Sequence, residues 1–357
     1  MRENFRYNRL IFIGHIAIQK RLSNPKVLSR VRRGYPAMKF QHKKAFCRIA
    51  CHRLLEFVLV AMSTSVSFGQ AAASIKGVVA ENTRPELVQE GFTFTEGPVG
   101  SADGGLYFSD IMGADKTYRL DQSGKISLYR SGTNGTNGLA LMRDGGLIGA
   151  EGTGKRISKA GAGGSAVTLT EGITGTGLMA PNDLIVDARG GIYFTDPGPR
   201  PVVPGRKAYV YYLPPGASQP RVVDDSIARP NGLTLTNSGK TLIVDDTIGD
   251  TVFAFDIEGD GLVKNKRSFA KLHDVQPAQE SGADGMAIDS QDRIYVTTVS
   301  GIQVFDSKGA YLGTIKVPRQ PANCAFAGPG KRTLYITARE GLYKLMMLSQ
   351  GPNRLGK

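Results

Sequence analysis

Six residues with oxygen-bearing side chains recur at one point of a repeating pattern: Glu96, Asn137, Asn182, Asn231, Asp284 and Asn323. They stand in the segments Glu96-Gly-Pro, Asn137-Gly-Leu, Asn182-Asp-Leu, Asn231-Gly-Leu, Asp284-Gly-Met and Asn323-Cys-Ala. Two are carboxylates and four are amides, a set made for hard oxygen chemistry. Calcium takes roughly six to eight oxygen ligands in irregular geometry, whereas magnesium asks for a stricter octahedron. Two negative charges match a divalent ion; without one, two carboxylates facing each other in a narrow channel repel, and one gives up its charge. Singly, Asn-Gly and Asp-Gly are ordinary turn formers. Six in one register, two of them acids and one fixed by a following proline, read as a set.

The elements that must bring these residues together also repeat. Ten or eleven residues after each lies an apolar, strand-like run: Leu106-Tyr-Phe-Ser-Asp, Leu147-Ile-Gly-Ala-Glu, Ile192-Tyr-Phe-Thr-Asp, Leu242-Ile-Val-Asp-Asp, Ile294-Tyr-Val-Thr-Thr and Leu334-Tyr-Ile-Thr-Ala. Successive runs start 41, 45, 50, 52 and 40 residues apart. Strand-rich self-similarity at periods of roughly 40–50 residues is the signature of propeller blades. Tight turns at Asp103-Gly-Gly, Asp144-Gly-Gly, Arg189-Gly-Gly, Ser238-Gly-Lys and Gln291-Asp-Arg separate the first strand of a repeat from its second. Asp-x-x-Gly at Asp121, Asp256 and Asp306 marks an outer hairpin. The fold expected is all-β, a six-bladed β-propeller with a central metal-binding channel. The first strand of each blade is expected to begin just after its ring residue. Asp110, Glu151, Asp196, Asp245 and Asp246 should then surround the same mouth as the six ring residues. Segments 160–180 and 197–208 read as inserts beside that mouth.

Charge and cysteine content divide the chain. The formal charge is +14, but residues 1–73 hold 14 Lys and Arg against 2 acids, which leaves the rest near +2. A nucleic-acid-binding domain would carry its charge on a folded face, so no nucleic-acid partner is expected. Residues 1–73 read as a leader: basic residues up to Arg53, the apolar run Leu54–Met62, then small residues ending in Gln70-Ala-Ala-Ala73, the order of a secretory signal. Glu56 interrupts the run, and a start at Met38 would give the leader an ordinary length. Export to the periplasm or medium is expected, with a cytoplasmic location if the start is mis-assigned. The run is too short for a stable membrane span. Cys47 and Cys51 fall in the leader and leave Cys324 alone in the body, so no internal disulfide and no lipid anchor are expected. Residues 74–348 form one domain, and 349–357 a C-terminal tail.

Elimination narrows the chemistry further. After residue 73 the chain has one histidine, His273, and no tryptophan or G-x-S-x-G elbow. A Ser-His-Asp triad and a zinc site of His and Cys ligands are therefore excluded. There is no P-loop or dinucleotide fingerprint. His273 reads as a loop residue and Cys324 as a small buried one.

The pieces Thr95-Glu-Gly-Pro98, Ala180-Pro-Asn-Asp-Leu184, Ile192-Tyr-Phe-Thr-Asp-Pro197, Arg229-Pro-Asn-Gly-Leu233, Ala283-Asp-Gly-Met286 and Pro321-Ala-Asn-Cys-Ala-Phe326 together resemble the senescence-marker/regucalcin/gluconolactonase family of six-bladed propellers. The resemblance runs from about Glu90 to Leu348. It implies a divalent cation held by Glu96, Asn231 and Asp284, with Asn182 a further ligand or a substrate contact. Calcium comes first, with zinc, magnesium and manganese as alternatives. It also implies hydrolysis of a sugar-derived lactone, a small-molecule partner, with Asp284 as general base and Asp183 or Asp196 as alternatives. Asn182, Asp183, Asn137, Asp196 and Asn323 are the expected substrate contacts. Animal members carry an arginine near the Asn-Asp motif for sugar contacts, and none stands before Asn182. Related propellers act on phosphotriesters or other esters, and a non-catalytic ligand-binding propeller is the remaining alternative. The oligomeric state is not legible.

Overall fold

The computed structural model of the protein describes residues 74–354 apart from 162, 163 and 277. The leader, with its signal-like run, Met38, Cys47 and Cys51, lies outside the described residues, as do the last three residues of the tail. Twenty-four strands form six four-stranded antiparallel sheets, each ordered from the inside outwards. Strand β1 is Glu86–Glu90. The first blade is β2 (Thr95–Gly100), β3 (Leu106–Asp110), β4 (Lys116–Leu120) and β5 (Ile126–Ser131). The second is β6 (Thr136–Leu141), β7 (Leu147–Glu151), β8 (Arg156–Ala160) and β9 (Ala166–Thr170). The third is β10 (Leu184–Val186), β11 (Ile192–Asp196), β12 (Tyr209–Leu213) and β13 (Arg221–Asp224). The fourth is β14 (Pro230–Leu235), β15 (Thr241–Asp246), β16 (Thr251–Ile257) and β17 (Val263–Lys271). The fifth is β18 (Met286–Ile288), β19 (Ile294–Thr298), β20 (Gly301–Phe305) and β21 (Tyr311–Ile315). The sixth is β22 (Asn323–Ala327), β23 (Thr333–Ala338) and β24 (Gly341–Met346), completed by β1, which pairs antiparallel with β24. Taking the outermost strand of the last blade from the segment before the first blade closes the ring and covers the β24 edge. No helix among the described residues is long and apolar enough to cross a membrane.

The six-bladed propeller expected from the repeat is the fold observed. The inner turns fall where the Gly-containing segments placed them, between β2 and β3 and at the four later equivalents. Three expectations need correction. First, Glu96, Asn137, Asn231 and Asn323 lie inside the first strand of their blades rather than ahead of it. Strands β2, β6 and β14 each shift register just after the ring residue, at Glu96/Val99, Thr136/Leu139 and Pro230/Leu233. A bulge of this kind lets the strand continue while it re-aims one side chain. Second, segment 160–180 is not wholly an insert, because it contains β9. Third, Asp256 sits in β16, and the turn that follows is closed by the Gly261 N–H on Glu258 O. The turns at Asp121 and Asp306 stand as expected, each aspartate accepting backbone N–H groups of its own loop.

The apolar faces of neighbouring blades pack on each other, so the core is a ring of inter-blade layers. Phe194, Tyr211, Leu184 and Ile148 fill one such layer, and Ile243, Val252, Met286 and Phe305 another. Nearer the axis the joints are polar. The fourth residue of the second strand, Ser109, Thr195 or Thr297, donates its hydroxyl to a backbone carbonyl of the next blade: Asn137 O at 2.8 Å, Asn231 O at 2.7 Å and Ala322 O at 2.8 Å. Thr297 also donates to Gly285 O. The tail is docked over residues 349–354: Ser349 is buried, and Arg354 donates to Leu235 O and Thr236 O.

These hydroxyls make a direct stability test. Thr297→Val keeps the volume but removes one donor from the Gly285 and Ala322 carbonyls, each of which retains a backbone N–H, at a cost of about 1 kcal/mol. Urea unfolding should show a lower midpoint with an unchanged slope. An unaltered midpoint would remove the hydroxyl clamps from the account of how blades are joined.

Candidate active site at the propeller axis

The ring residues meet because the residue after each is small where blades touch. A methyl group added at Gly285 would stand 1.8 Å from Asn323 Cγ, and one at Gly97 would stand 2.0 Å from Asn137 O. Only glycine permits that approach, and Gly97 also has φ +48°, a conformation other residues rarely take. Asp183 is the exception, since it occupies this glycine position in the third blade. It fits because the facing residue is Gly138, whose N–H donates to Asn182 O at 2.8 Å.

The last residue of the second strand sets the entry of the chain into the ring. Asp110 accepts the Thr93 and Phe94 N–H groups, Asp196 those of Met179 and Ala180, and Asp246 that of Arg229. Each stands two or three residues before a ring residue: Glu96, Asn182 or Asn231. These carboxylates do lie at the mouth end of their strands, but they are engaged in holding backbone. Burial raises the Asp196 pKa, against the pull of the two N–H groups it accepts. Glu151 differs: it is fully buried on Arg156, Ser158 and Asn134.

The ring side chains fall into two kinds. Glu96 Oε2 accepts its neighbour Gly97 N–H at 2.9 Å, and Asn323 Oδ1 accepts Cys324 N–H at 2.9 Å. Asp183 Oδ1 likewise takes the Leu184 N–H. By contrast, Asn137 Oδ1 and Asn231 Oδ1 are buried acceptors with no hydrogen-bond donor. The Asn231 amide is fixed in that sense, because its Nδ2 donates to Thr247 Oγ1 at 3.1 Å. Asn182 and Asp284 are half-buried, whereas Glu96 and Asn231 are 2% and 6% exposed.

Two residues gain importance from the structure. Asp245 occupies the position that Ser109, Thr195, Thr297 and Thr337 fill in other blades. It is fully buried; Oδ1 accepts the Gly232 N–H at 3.1 Å, and Oδ2 has no hydrogen-bond partner. Burial first, then the neighbouring Asp284, pushes its carboxyl well above the usual carboxylate range. Its signal in the sequence is a lone carboxylate in a column of four hydroxyls and one alanine, Ala150. The second is Arg229, whose buried guanidinium donates to Pro197 O and Gly198 O, both at 3.2 Å. It pins the start of segment 197–208, which Arg200 ties again through an ion pair to Glu280 at 2.7 Å.

Chemically, the axis is rich in acceptors and poor in donors. Orphaned buried oxygens of this kind normally meet a donor, a water or an ion. No group of three or more His, Cys, Asp or Glu among the described residues could hold a metal. The oxygen set here is mixed, with amide oxygens beside carboxylates, as a hard cation accepts. His273 is exposed, stacked on Tyr311 with ring centres 3.9 Å apart, and Cys324 is buried against Tyr295 O. Neither enters the axis chemistry.

Comparison with known proteins agrees with this architecture. The family model described as the SMP-30/Gluconolactonase/LRE-like region matches residues 94–340. A gluconolactonase of Zymomonas mobilis is 27% identical over 303 residues, covering 76% of this chain and 83% of that protein. A gluconolactonase structure from Xanthomonas campestris superposes with a TM-score of 0.70 at 29% identity, covering 78% of this chain and 95% of the other. A calcium-binding regucalcin from Agrobacterium tumefaciens superposes with a TM-score of 0.66 at 18% identity, over 76% of this chain and 98% of the other, a likeness of fold. The match takes in five of the six blades whole and the two inner strands of the sixth, and with them all six ring residues; the chain belongs to the SMP-30/gluconolactonase/LRE-like family.

Proposed function

We propose that the protein hydrolyses a sugar-derived lactone of the gluconolactone kind to its aldonic acid, using a divalent cation at the propeller axis. The observation that carries this reading is the pair of donor-less amide oxygens, Asn137 Oδ1 and Asn231 Oδ1, beside the ring carboxylates. The gluconolactonases of Zymomonas mobilis and Xanthomonas campestris support the substrate class. Glu96, Asn231 and Asp284 would hold the cation, with Asn182 beside them; calcium fits this oxygen set first, with zinc, magnesium and manganese as alternatives. Bound there, it supplies Lewis acidity toward the lactone carbonyl and balances developing negative charge.

The chain's own residues do the rest. Asp284 is the half-buried carboxylate of the ring, placed to take a proton from the attacking water as the carbonyl carbon becomes tetrahedral. The ring C–O bond then breaks, and the proton passes to the departing alkoxide, which becomes the free hydroxyl of the product. Asn182, half-buried on the same rim, contacts the sugar hydroxyls, and Asn137 lies beside it. Asp183, Asp196 and Asn323 order the wall around them through backbone N–H groups. Asp245 holds the Gly232 N–H and so fixes the peptide that carries Asn231.

Exhaustive chelation should lower glucono-lactone hydrolysis at least ~100-fold, and calcium should restore it, since the cation supplies several kcal/mol of charge stabilisation. Activity untouched by chelation would sink the metal reading. A parallel panel of an aryl ester and a phosphotriester should show much lower turnover. Asp284→Asn should lower kcat by about 100-fold or more while the fold persists. In that variant calcium should no longer raise Tm, whereas in the wild type saturation at 100 times Kd adds about 2.7 kcal/mol. An Asp284→Asn protein that keeps both effects would move the base and the ligand elsewhere. Export completes the proposal: expression of the full chain should yield a periplasmic or secreted form cleaved close to Ala73, read by N-terminal sequencing.

A further inference from the structure

Beside the mouth, between segments 171–179 and 205–211, the structure has a groove of about 630 Å³. Its walls include Met179, Asp196, Arg206, Lys207, Tyr209 and Tyr211. The groove lies close to the ring. Asp196 forms part of it and follows Thr195, whose carbonyl accepts the Asn182 N–H and whose hydroxyl donates to Asn231 O. Met179 stands three residues before Asn182 and is held by Asp196 through its N–H. The segment that enters the ring at Asn182 thus forms part of the groove wall.

One cation at the groove lacks a partner among the described residues. Of the cations on segment 197–208, Arg200 pairs with Glu280 and Lys207 with Asp225. Arg206 is exposed, and among the described residues its guanidinium has neither an ion pair nor a hydrogen bond. Asp196, the carboxylate in the wall, already accepts two N–H groups and offers little to a cation. Tyr209 and Tyr211 stack with ring centres 5.4 Å apart, and the half-buried Tyr209 presents a flat aromatic edge. A concave site with aromatic walls and one uncommitted guanidinium is built for a ligand that ends in a carboxylate, which arginine engages through two parallel N–H donors.

We propose that this groove is a binding subsite for the distal, carboxylate-bearing end of the substrate, with Arg206 as its charge partner. The inference rests on the lactone-hydrolase reading for its biological meaning, and it narrows the substrate to sugar lactones that keep a second carboxylate, such as an aldaric acid monolactone. Arg206 is then a specificity-determining residue that does not touch the reacting atoms.

The test compares glucono-lactone with glucaric acid monolactone on the wild type, Arg206→Ala and Arg206→Glu. For the carboxylate-bearing lactone, kcat/KM should fall about 10-fold in Arg206→Ala and further in Arg206→Glu, carried by KM and weakened by salt. For the neutral lactone it should stay within about twofold. Equal losses on both lactones, or none on either, overturn the proposal. Calorimetry of the intact protein with glucarate, the hydrolysis product, keeps the two readings apart. If the wild type hydrolyses neither lactone but binds glucarate, and Arg206→Glu does not, the catalytic reading fails and the subsite stands. If glucarate fails to bind, or binds both proteins alike, the subsite is wrong whatever the activity.

Discussion

The geometry of this protein follows from crowding at one axis. Six first strands must start close together, so backbone approaches backbone where side chains would otherwise clash. The structure meets that constraint with glycine after four of the six ring positions, and Gly285 shows how little room remains, with Asn323 Cγ 1.8 Å from where its Cβ would be. The same crowding decides the chemistry. The innermost strand of each blade is paired only on its outer side, and none of the six ring residues is a lysine or arginine that could offer a charged donor. Burial without donors makes the axis a place of negative potential that a cation relieves.

Around that axis one sequence position after another has been given a fixed task. The hydroxyl at the fourth place of the second strand joins a blade to the next, and the carboxylate at the fifth place holds the chain segment that leads into the ring. Both tasks are backbone recognition, which is why they recur while the outer strands vary. Two departures from the pattern bring further acid to the axis. Asp245 stands in a hydroxyl position, and Asp183 in a glycine position. Each brings a carboxylate to a spot where the repeat alone would put none.

Much of this was legible in the sequence, and the reason is periodicity. Blade number, inner turns and ring residues follow from spacing, because a closed ring forces equivalent residues to one place. What spacing cannot show is how a side chain spends its atoms. The register of Asp196 and Asn323 puts them at the mouth but says nothing of their hydrogen-bond partners. In the structure each gives oxygen to a backbone N–H, Asp196 to Met179 and Ala180, Asn323 to Cys324. Strand β1 escaped the repeat because its five residues pair across the whole chain with β24 and carry no ring motif of their own. Arg229 was visible only as the residue before Pro230-Asn231; its clamp on Pro197 and Gly198 depends on a contact between blades.

The acid content of the axis also constrains what the site can be. Glu96, Asp183, Asp245 and Asp284 all lie at or just behind the ring, and the burial of Asp245 already forces its carboxyl toward the neutral form. Each buried charge of that set costs desolvation and repels the next. The proposed cation would offset that repulsion and give the donor-less Asn231 oxygen a partner. The outer mouth then completes the division of labour. Positive charge is kept off the ring and placed on segment 197–208, where Arg200 is paired, Lys207 is paired and Arg206 is not. On the proposed reading, the rim would receive the anionic end of a substrate and leave the axis to its carbonyl.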